Sequence, residues 1–142
     1  MSFLCPIQQY SRAGLQCLRV DVPLIVFGRH GEMDQEFVFD TGCEITTVSE
    51  DVATALGLPS GGRELRLTGV TGGGRCRIVD VRFQFPRTTS GGSGLEVSST
   101  WVVSSAGKGI ALLGFMEVHR HFQIKPFEFD VYFIPWPRPR GA

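Results

Sequence analysis

The sequence predicts an all-β protein that closes on itself as a β-barrel and carries one or two short helices. Three observations support this fold class: short runs alternate apolar and polar residues with period two, glycine-containing turns separate these runs, and helical spacing is rare. The 142 residues suit one domain with a single core. We expect an N-terminal extension over residues 1–16, the barrel domain over 17–134 and a proline-rich tail over 135–142.

Composition excludes several classes of function. The chain has 14 Lys and Arg against 14 Asp and Glu, so its net charge of zero indicates neither a nucleic acid nor a membrane as partner. No apolar run approaches the length of about 18 residues that a spanning helix needs. Residues 1–10 lack the pattern of a secretory signal, so we expect a cytoplasmic protein. The four cysteines are scattered, which favours free thiols over a disulfide or metal framework.

The first half of the chain predicts two strands and a helix. Apolar residues occupy every even position of 18–26, which predicts a strand, and Pro23 on the other face indicates an edge position. Residues 28–31 form a turn, and residues 35–40 form the second strand. Ser49 is the expected N-cap of a short helix that ends before Gly57.

The second half predicts a long hairpin and further strands. Residues 65–67 lead into a glycine-rich turn, and the returning run 75–85 changes its apolar phase, which predicts a bulge or a bend. The later segments are a flexible loop at 86–94, strands at 95–103 and 110–113, one or two helical turns at 115–120, and final strands at 122–133 whose aromatic residues we expect to pack in the core.

The acidic motif Asp40-Thr41-Gly42 is the main functional candidate, because it directly follows an apolar strand. Two carboxylates held about 3 Å apart share one proton, so one acts as a base on water while the other protonates a leaving group. A short chain with a single such motif predicts half of a two-carboxylate site, completed by a second copy. The structural alternative is an ordinary cap or Asx-turn.

Three segments resemble the retropepsin-like aspartic proteases. Residues 37–43 (F-V-F-D-T-G-C) resemble the catalytic loop, residues 67–74 resemble the glycine-rich flap hairpin, and residues 111–114 (A-L-L-G) resemble the second signature, which packs behind the catalytic loop. The resemblance implies a homodimer that hydrolyses peptide bonds in a peptide or protein substrate without a cofactor or metal.

The same resemblance implies roles for individual residues. Asp40 would be the catalytic acid–base, Thr41 would join the two loops across the dimer axis, and Gly42 would expose backbone to substrate. The flap tip would contact the peptide through its main chain; its residues are Gly69, Val70, Thr71, Gly72 and Gly73.

Departures from the family pattern keep two alternatives open. Phe115-Met116 replaces a polar pair that usually follows the second signature, which leaves room for a non-catalytic, dimeric peptide-binding or scaffold module of the same fold. Cys43 stands where Ala or Ser is usual, so a thiol enzyme is a third, weaker reading. His119 and His121 are two residues apart without a third ligand, and we expect them at a surface or an interface.

Overall fold

The computed structural model describes residues 2–67 and 74–137, which form ten β-strands and two short α-helices. The elements in chain order are β1 (Phe3–Arg12), β2 (Leu15–Gly28), β3 (Gly31–Asp40), β4 (Thr47–Ser49), α1 (Glu50–Ala55), β5 (Arg63–Leu67), β6 (Gly74–Gln84), β7 (Glu96–Ser104), β8 (Ala111–Gly114), α2 (Phe115–His119), β9 (Phe122–Pro126) and β10 (Asp130–Pro135). Neither helix in these ranges is long and apolar enough to cross a membrane. The predictions of a mostly β fold and of two short helices are confirmed.

The strands form one sheet in the order β5-β6-β7-β4-β8-β3-β2-β1-β10-β9. An additional pairing of β6 with β2 links β6, β7, β4, β8, β3 and β2 into a ring of neighbours. The closed-barrel geometry itself stays a prediction, because these pairings give neighbours rather than the tilt and stagger that define a barrel.

Aromatic side chains fill the core. Phe37 and Trp101 meet edge to face with ring centroids 5.2 Å apart, and Phe3 stacks on Phe133 at 4.5 Å. All four are buried, since alternate residues of their strands point inward. Phe3 belongs to β1, which pairs with β10 and with β2, so the first residues of the chain contribute to the core. The boundaries of the predicted domains stay a prediction.

Pro23 lies in an internal strand, but at a point where that strand is paired on one side only, so the predicted edge position holds at this residue and not for the strand. Its strand, β2, pairs with β3, β1 and β6. The register of β2 with β1 ends at Val20, and its register with β6 begins at Ile25. Pro23 lies between these two registers, where its missing N–H removes no bond to either strand.

Of the bulge or bend predicted in β6, the bulge is absent. Its register with β7 runs unbroken from Cys76 to Gln84. Cys76 is buried, Ile78 is half-buried, and then Val79 and Val81 are buried. Successive residues of a continuous strand point to opposite faces of the sheet. One face of β6 is therefore buried near Cys76 and the other from Val79 onward, and no inserted residue is needed to explain the change of apolar phase.

The aromatic run near the C-terminus is only partly core. Phe122 and Phe133 are buried, whereas Phe127 and Phe129 are 59% and 68% exposed. These two residues lie in the turn between β9 and β10, which Phe127 N–H closes by donating to Asp130 O at 2.8 Å. The alternation that predicts burial holds along a strand and fails in the turn, so the prediction is wrong for both.

Candidate active site

Asp40 is the last residue of β3 and is held there by β8. The two strands pair in parallel, with Val38 opposite Leu112 and Asp40 opposite Gly114. Just before the acid, the Phe39 ring packs edge to face on Phe133 at 5.7 Å. Asp40 is half-buried, and the next two residues, Thr41 and Gly42, are exposed. The acid therefore stands at the boundary between the core and solvent.

The Asp40 carboxylate is oriented by its own loop. Gly42 N–H donates to Oδ1 at 2.9 Å, and Cys43 N–H donates to the Asp40 main-chain oxygen at 3.2 Å. This geometry is that of the Asx-turn considered as the structural alternative. Within the described ranges no hydrogen bond reaches Oδ2 and no cation pairs with the carboxylate. The turn thus fixes one oxygen and leaves the other available.

The loop after Asp40 is fastened to the start of α2. Phe115 N–H donates to Cys43 O at 2.8 Å, and Met116 N–H donates to Glu44 O at 3.1 Å. These bonds satisfy main-chain donors that the first turn of a helix leaves free. A Cβ on Gly114 would lie 2.5 Å from the carbonyl carbon of Ile45, so only glycine fits where the two segments cross. The A-L-L-G segment does pack behind this loop.

Cys43 lies in the same loop without a base beside it. Its thiol donates to Ile45 O at 3.0 Å and lies 3.8 Å from the Thr47 hydroxyl. Neither partner can remove a proton from a thiol, and in the described part of the chain the Cys43 thiol forms no hydrogen bond with a histidine. Its position is that of a half-buried filler.

An aromatic stack occupies the place where the family pattern suggests a polar pair. The Phe115 ring stacks on His119 with centroids 5.1 Å apart, and Trp136 meets His119 edge-on at 5.4 Å. Trp136 Nε1–H also donates to the His119 main-chain oxygen at 2.6 Å. His119 is exposed. Burial lowers the pKa of the half-buried His121; the negative charge of Glu117 opposes this shift, and the positive charge of Arg120 adds to it. The i, i+4 spacing of Phe115 and His119 was the sequence signal for the stack.

Sequence reasoning missed Glu117, a nearly fully buried carboxylate on α2. Its bonds to Ser99 and Trp101 join segments far apart in sequence, which no local pattern reveals. The predicted substrate-binding residues Gly69, Val70, Thr71, Gly72 and Gly73 lie outside the described residues. Their role stays a prediction; the hairpin that leads to them is closed as far as the pair Leu67–Gly74.

Comparison with known proteins agrees with this geometry. A family model described as Aspartyl protease matches residues 22–116, which is more than half of the chain. The chain therefore belongs to the aspartyl protease family. Its fold is similar to the crystal structure of a retropepsin-like aspartic protease from Rickettsia conorii, with a TM-score of 0.61 and 15% identity over 94% of this chain and 90% of the other. No curated protein sequence matches the chain.

Proposed function

We propose that this protein is an aspartic endopeptidase that hydrolyses peptide bonds as a homodimer. The observation that carries the proposal is the state of Asp40: half-buried at the end of β3, with Oδ1 bound by Gly42 N–H and Oδ2 without a partner in the described chain. A carboxylate held in this way can face an identical one. Membership of the aspartyl protease family supports the same reaction.

The chemistry follows from two such carboxylates sharing a proton. At a separation of about 3 Å they cannot both ionise, so one is a base and the other an acid. The ionised Asp40 takes a proton from water while the oxygen of that water attacks the peptide carbonyl carbon. The protonated Asp40 of the second subunit donates to the carbonyl oxygen. When the C–N bond breaks, the first Asp40 donates the proton it took from water to the leaving nitrogen. The second Asp40 takes a proton from a hydroxyl of the tetrahedral intermediate as the new carboxyl group forms, so that the pair again holds one proton.

Thr41 is the second element of the proposed dimer. It is exposed beside Asp40, and the described chain gives its hydroxyl no hydrogen-bond partner. In a two-fold arrangement each Thr41 hydroxyl would donate to the loop of the other subunit. The two loops would then hold both carboxylates in register, which makes catalysis depend on association.

A second candidate function is a dimeric module that binds peptide without cleaving it. The observation that favours it is the apolar start of α2, where Phe115 stacks on His119 and Met116 is 40% exposed. With no charged pair there, bracing between subunits would depend on apolar contacts alone. Peptide binding tolerates a less rigid dimer, whereas catalysis requires the two carboxylates to be closely aligned.

Digestion of an unstructured protein such as denatured casein, at mildly acidic and at neutral pH, separates these functions. We expect cleavage by the wild type and by Asp34→Asn, and none by Asp40→Asn. Asp34 is a matched control because it is an exposed acid on the same strand. Cleavage that persists in Asp40→Asn contradicts the proposal. If cleavage persists in Asp40→Asn but is lost in Cys43→Ser, the protein is a thiol enzyme instead. Binding without cleavage by all variants would favour the peptide-binding module.

Sedimentation tests the dimer independently of activity. We expect a concentration-dependent dimer whose dissociation constant rises about fivefold to a hundredfold in Thr41→Val, since the dimer loses two intersubunit hydrogen bonds of about 0.5–1.5 kcal/mol each. Thr89→Val is the control, as Thr89 is an exposed threonine in the loop before β7. A wild-type protein that stays monomeric at high concentration would rule out the two-subunit site.

A further inference from the structure

A cavity of about 520 Å³ opens beside the loop that follows Asp40. It lies between this loop, β5, β6, β7 and α2, and its lining includes Glu44 at the loop. The apolar side chains of the lining are Ile45, Leu65, Ile78, Val102 and Met116. Two of these, Ile45 and Met116, are 48% and 40% exposed. Large apolar side chains exposed around one concave surface are typical of a binding site.

Glu117 also lines this cavity, and only one of its oxygens is satisfied. Glu117 is 5% exposed, and Oε1 accepts both Trp101 Nε1–H at 2.8 Å and Ser99 Oγ–H at 2.6 Å. No hydrogen bond is recorded for Oε2 within the described ranges. Every side-chain nitrogen or oxygen there that is fully removed from solvent does have a partner, so Oε2 retains access to solvent. The cavity that Glu117 lines provides that access.

Glu117 forms no ion pair within the described ranges, and burial lowers the pKa of His121, the basic group on which its charge acts. Arg63 and Arg120 line the cavity but are exposed. Glu44 adds a second, exposed carboxylate. A nearly buried carboxylate without a counter-charge is costly, so a cation that enters the cavity would be stabilised at Oε2.

We propose that this cavity binds a lysine side chain of the polypeptide substrate. The aliphatic stem would lie along Ile45 and Met116, while the ammonium group donates to Glu117 Oε2. Lysine fits better than arginine, because a single free oxygen suits a point donor rather than a two-pronged guanidinium. That the lysine belongs to a substrate rests on the proposed protease function; the binding itself does not.

The Trp101 indole provides a direct readout, since its N–H shares Oε1 of the same carboxylate. The chain has two tryptophans, and Trp136→Phe assigns the two indole signals in a ¹H–¹⁵N spectrum. Catalytically disabled Asp40→Asn protein is titrated with Nα-acetyl-lysine amide, its norleucine analogue and its arginine analogue. We expect lysine to shift the Trp101 signal with a dissociation constant in the millimolar range, arginine to bind more weakly and norleucine to cause little shift. In Glu117→Gln the lysine affinity should fall about tenfold or more.

The proposal is overturned if lysine causes no saturable shift, if norleucine shifts the signal equally, or if Glu117→Gln binds lysine unchanged. Should Glu117→Gln lose the dispersed spectrum of a folded protein, Ile45→Ala decides instead, because Ile45 is half exposed and its loss leaves Glu117 intact. We expect it to weaken lysine binding several-fold, and unchanged binding contradicts the proposal. Binding together with a wild-type enzyme that cleaves nothing would reject the protease function while the lysine site stands.

Discussion

Thr46 and Gly114, 68 residues apart in the chain, are joined by a buried hydrogen bond in which Gly114 N–H donates to the Thr46 hydroxyl at 3.1 Å. Thr46 follows the loop after Asp40 and is 1% exposed, while Gly114 ends β8 and precedes α2. This bond lies next to the two main-chain bonds that join the loop to the first turn of α2, so three hydrogen bonds hold the two segments together. The position of the loop after Asp40 therefore depends on a contact in which Asp40 itself takes no part.

Replacing Thr46 with valine should destabilise the protein by about 1–3 kcal/mol, because Gly114 N–H is then left buried without an acceptor. Valine keeps the shape of threonine, so the loss reports the hydrogen bond rather than packing. Urea denaturation measures it. Thr47→Val is the matched control: the Thr47 hydroxyl donates to Ile45 O at 2.9 Å in a more exposed position, and we expect a smaller loss. Equal losses in the two variants would contradict the role assigned to the Thr46–Gly114 bond.

Substitution of Gly114 by alanine tests the close approach itself. The added Cβ would lie 2.5 Å from Ile45 C and 2.6 Å from Thr46 N, both main-chain atoms that cannot move alone. We expect a loss of about 1–3 kcal/mol in the free energy of unfolding, together with loss of proteolysis as the loop shifts. Gly61→Ala is the control, since a Cβ there meets nothing within 4 Å. A Gly114→Ala protein as stable as Gly61→Ala would show that the crossing tolerates a side chain.

The candidate site was predictable from sequence where local pattern decides structure. The apolar run of 37–39 before Asp40 forms the end of β3, and the A-L-L-G segment forms β8 beside it, because a strand in the core needs a continuous apolar stretch and ends at a polar residue or a glycine. The turn at 28–31 followed from its glycines in the same way. Ser49 occupies the predicted N-cap position of α1, but its hydroxyl donates to Asp51 Oδ1 and makes no capping hydrogen bond.

Features that depend on distant partners were not predictable. Pro23 signals an edge strand only if its missing N–H would break a ladder, and the gap between two registers removes that cost. The phase change in β6 reflects which face is covered along its length. Glu117 gives no sequence signal, because Trp101 and Ser99 on β7 are what make its burial tolerable.

Thiol reactivity should divide the four cysteines into two classes. Burial, with the negative charges of Glu36 and Asp21, raises the pKa of Cys5 to about 12, and Cys76 is buried as well. Because the thiolate is the reactive form, Cys5 should not react with Ellman's reagent at neutral pH unless the protein unfolds. Cys17 and Cys43 are half-buried and should react first. Comparison with Cys5→Ala checks the assignment: if its rapid phase is smaller than that of the wild type, the prediction is wrong.

Mild acid should destabilise the protein through His121. Burial, chiefly, lowers the pKa of His121 from its ordinary value of 6.5. The unfolded chain then binds a proton near pH 6.5 while the folded chain does not, so stability is complete above that pH and falls as the pH drops toward the lower folded pKa. Melting temperatures measured between pH 7.5 and 5.5 should therefore decrease more in the wild type than in His121→Gln.

The matched control for this effect is His30→Gln, because His30 lies exposed in the turn between β2 and β3. The melting temperature of His30→Gln should fall with pH as that of the wild type does, because this variant keeps His121. Any contribution of the carboxylates is common to all three proteins. If His121→Gln loses as much stability as His30→Gln over this interval, burial of His121 is not the cause of the acid sensitivity. The result also matters for the digestion experiment, because any activity measured in mild acid would be reduced by loss of folded protein.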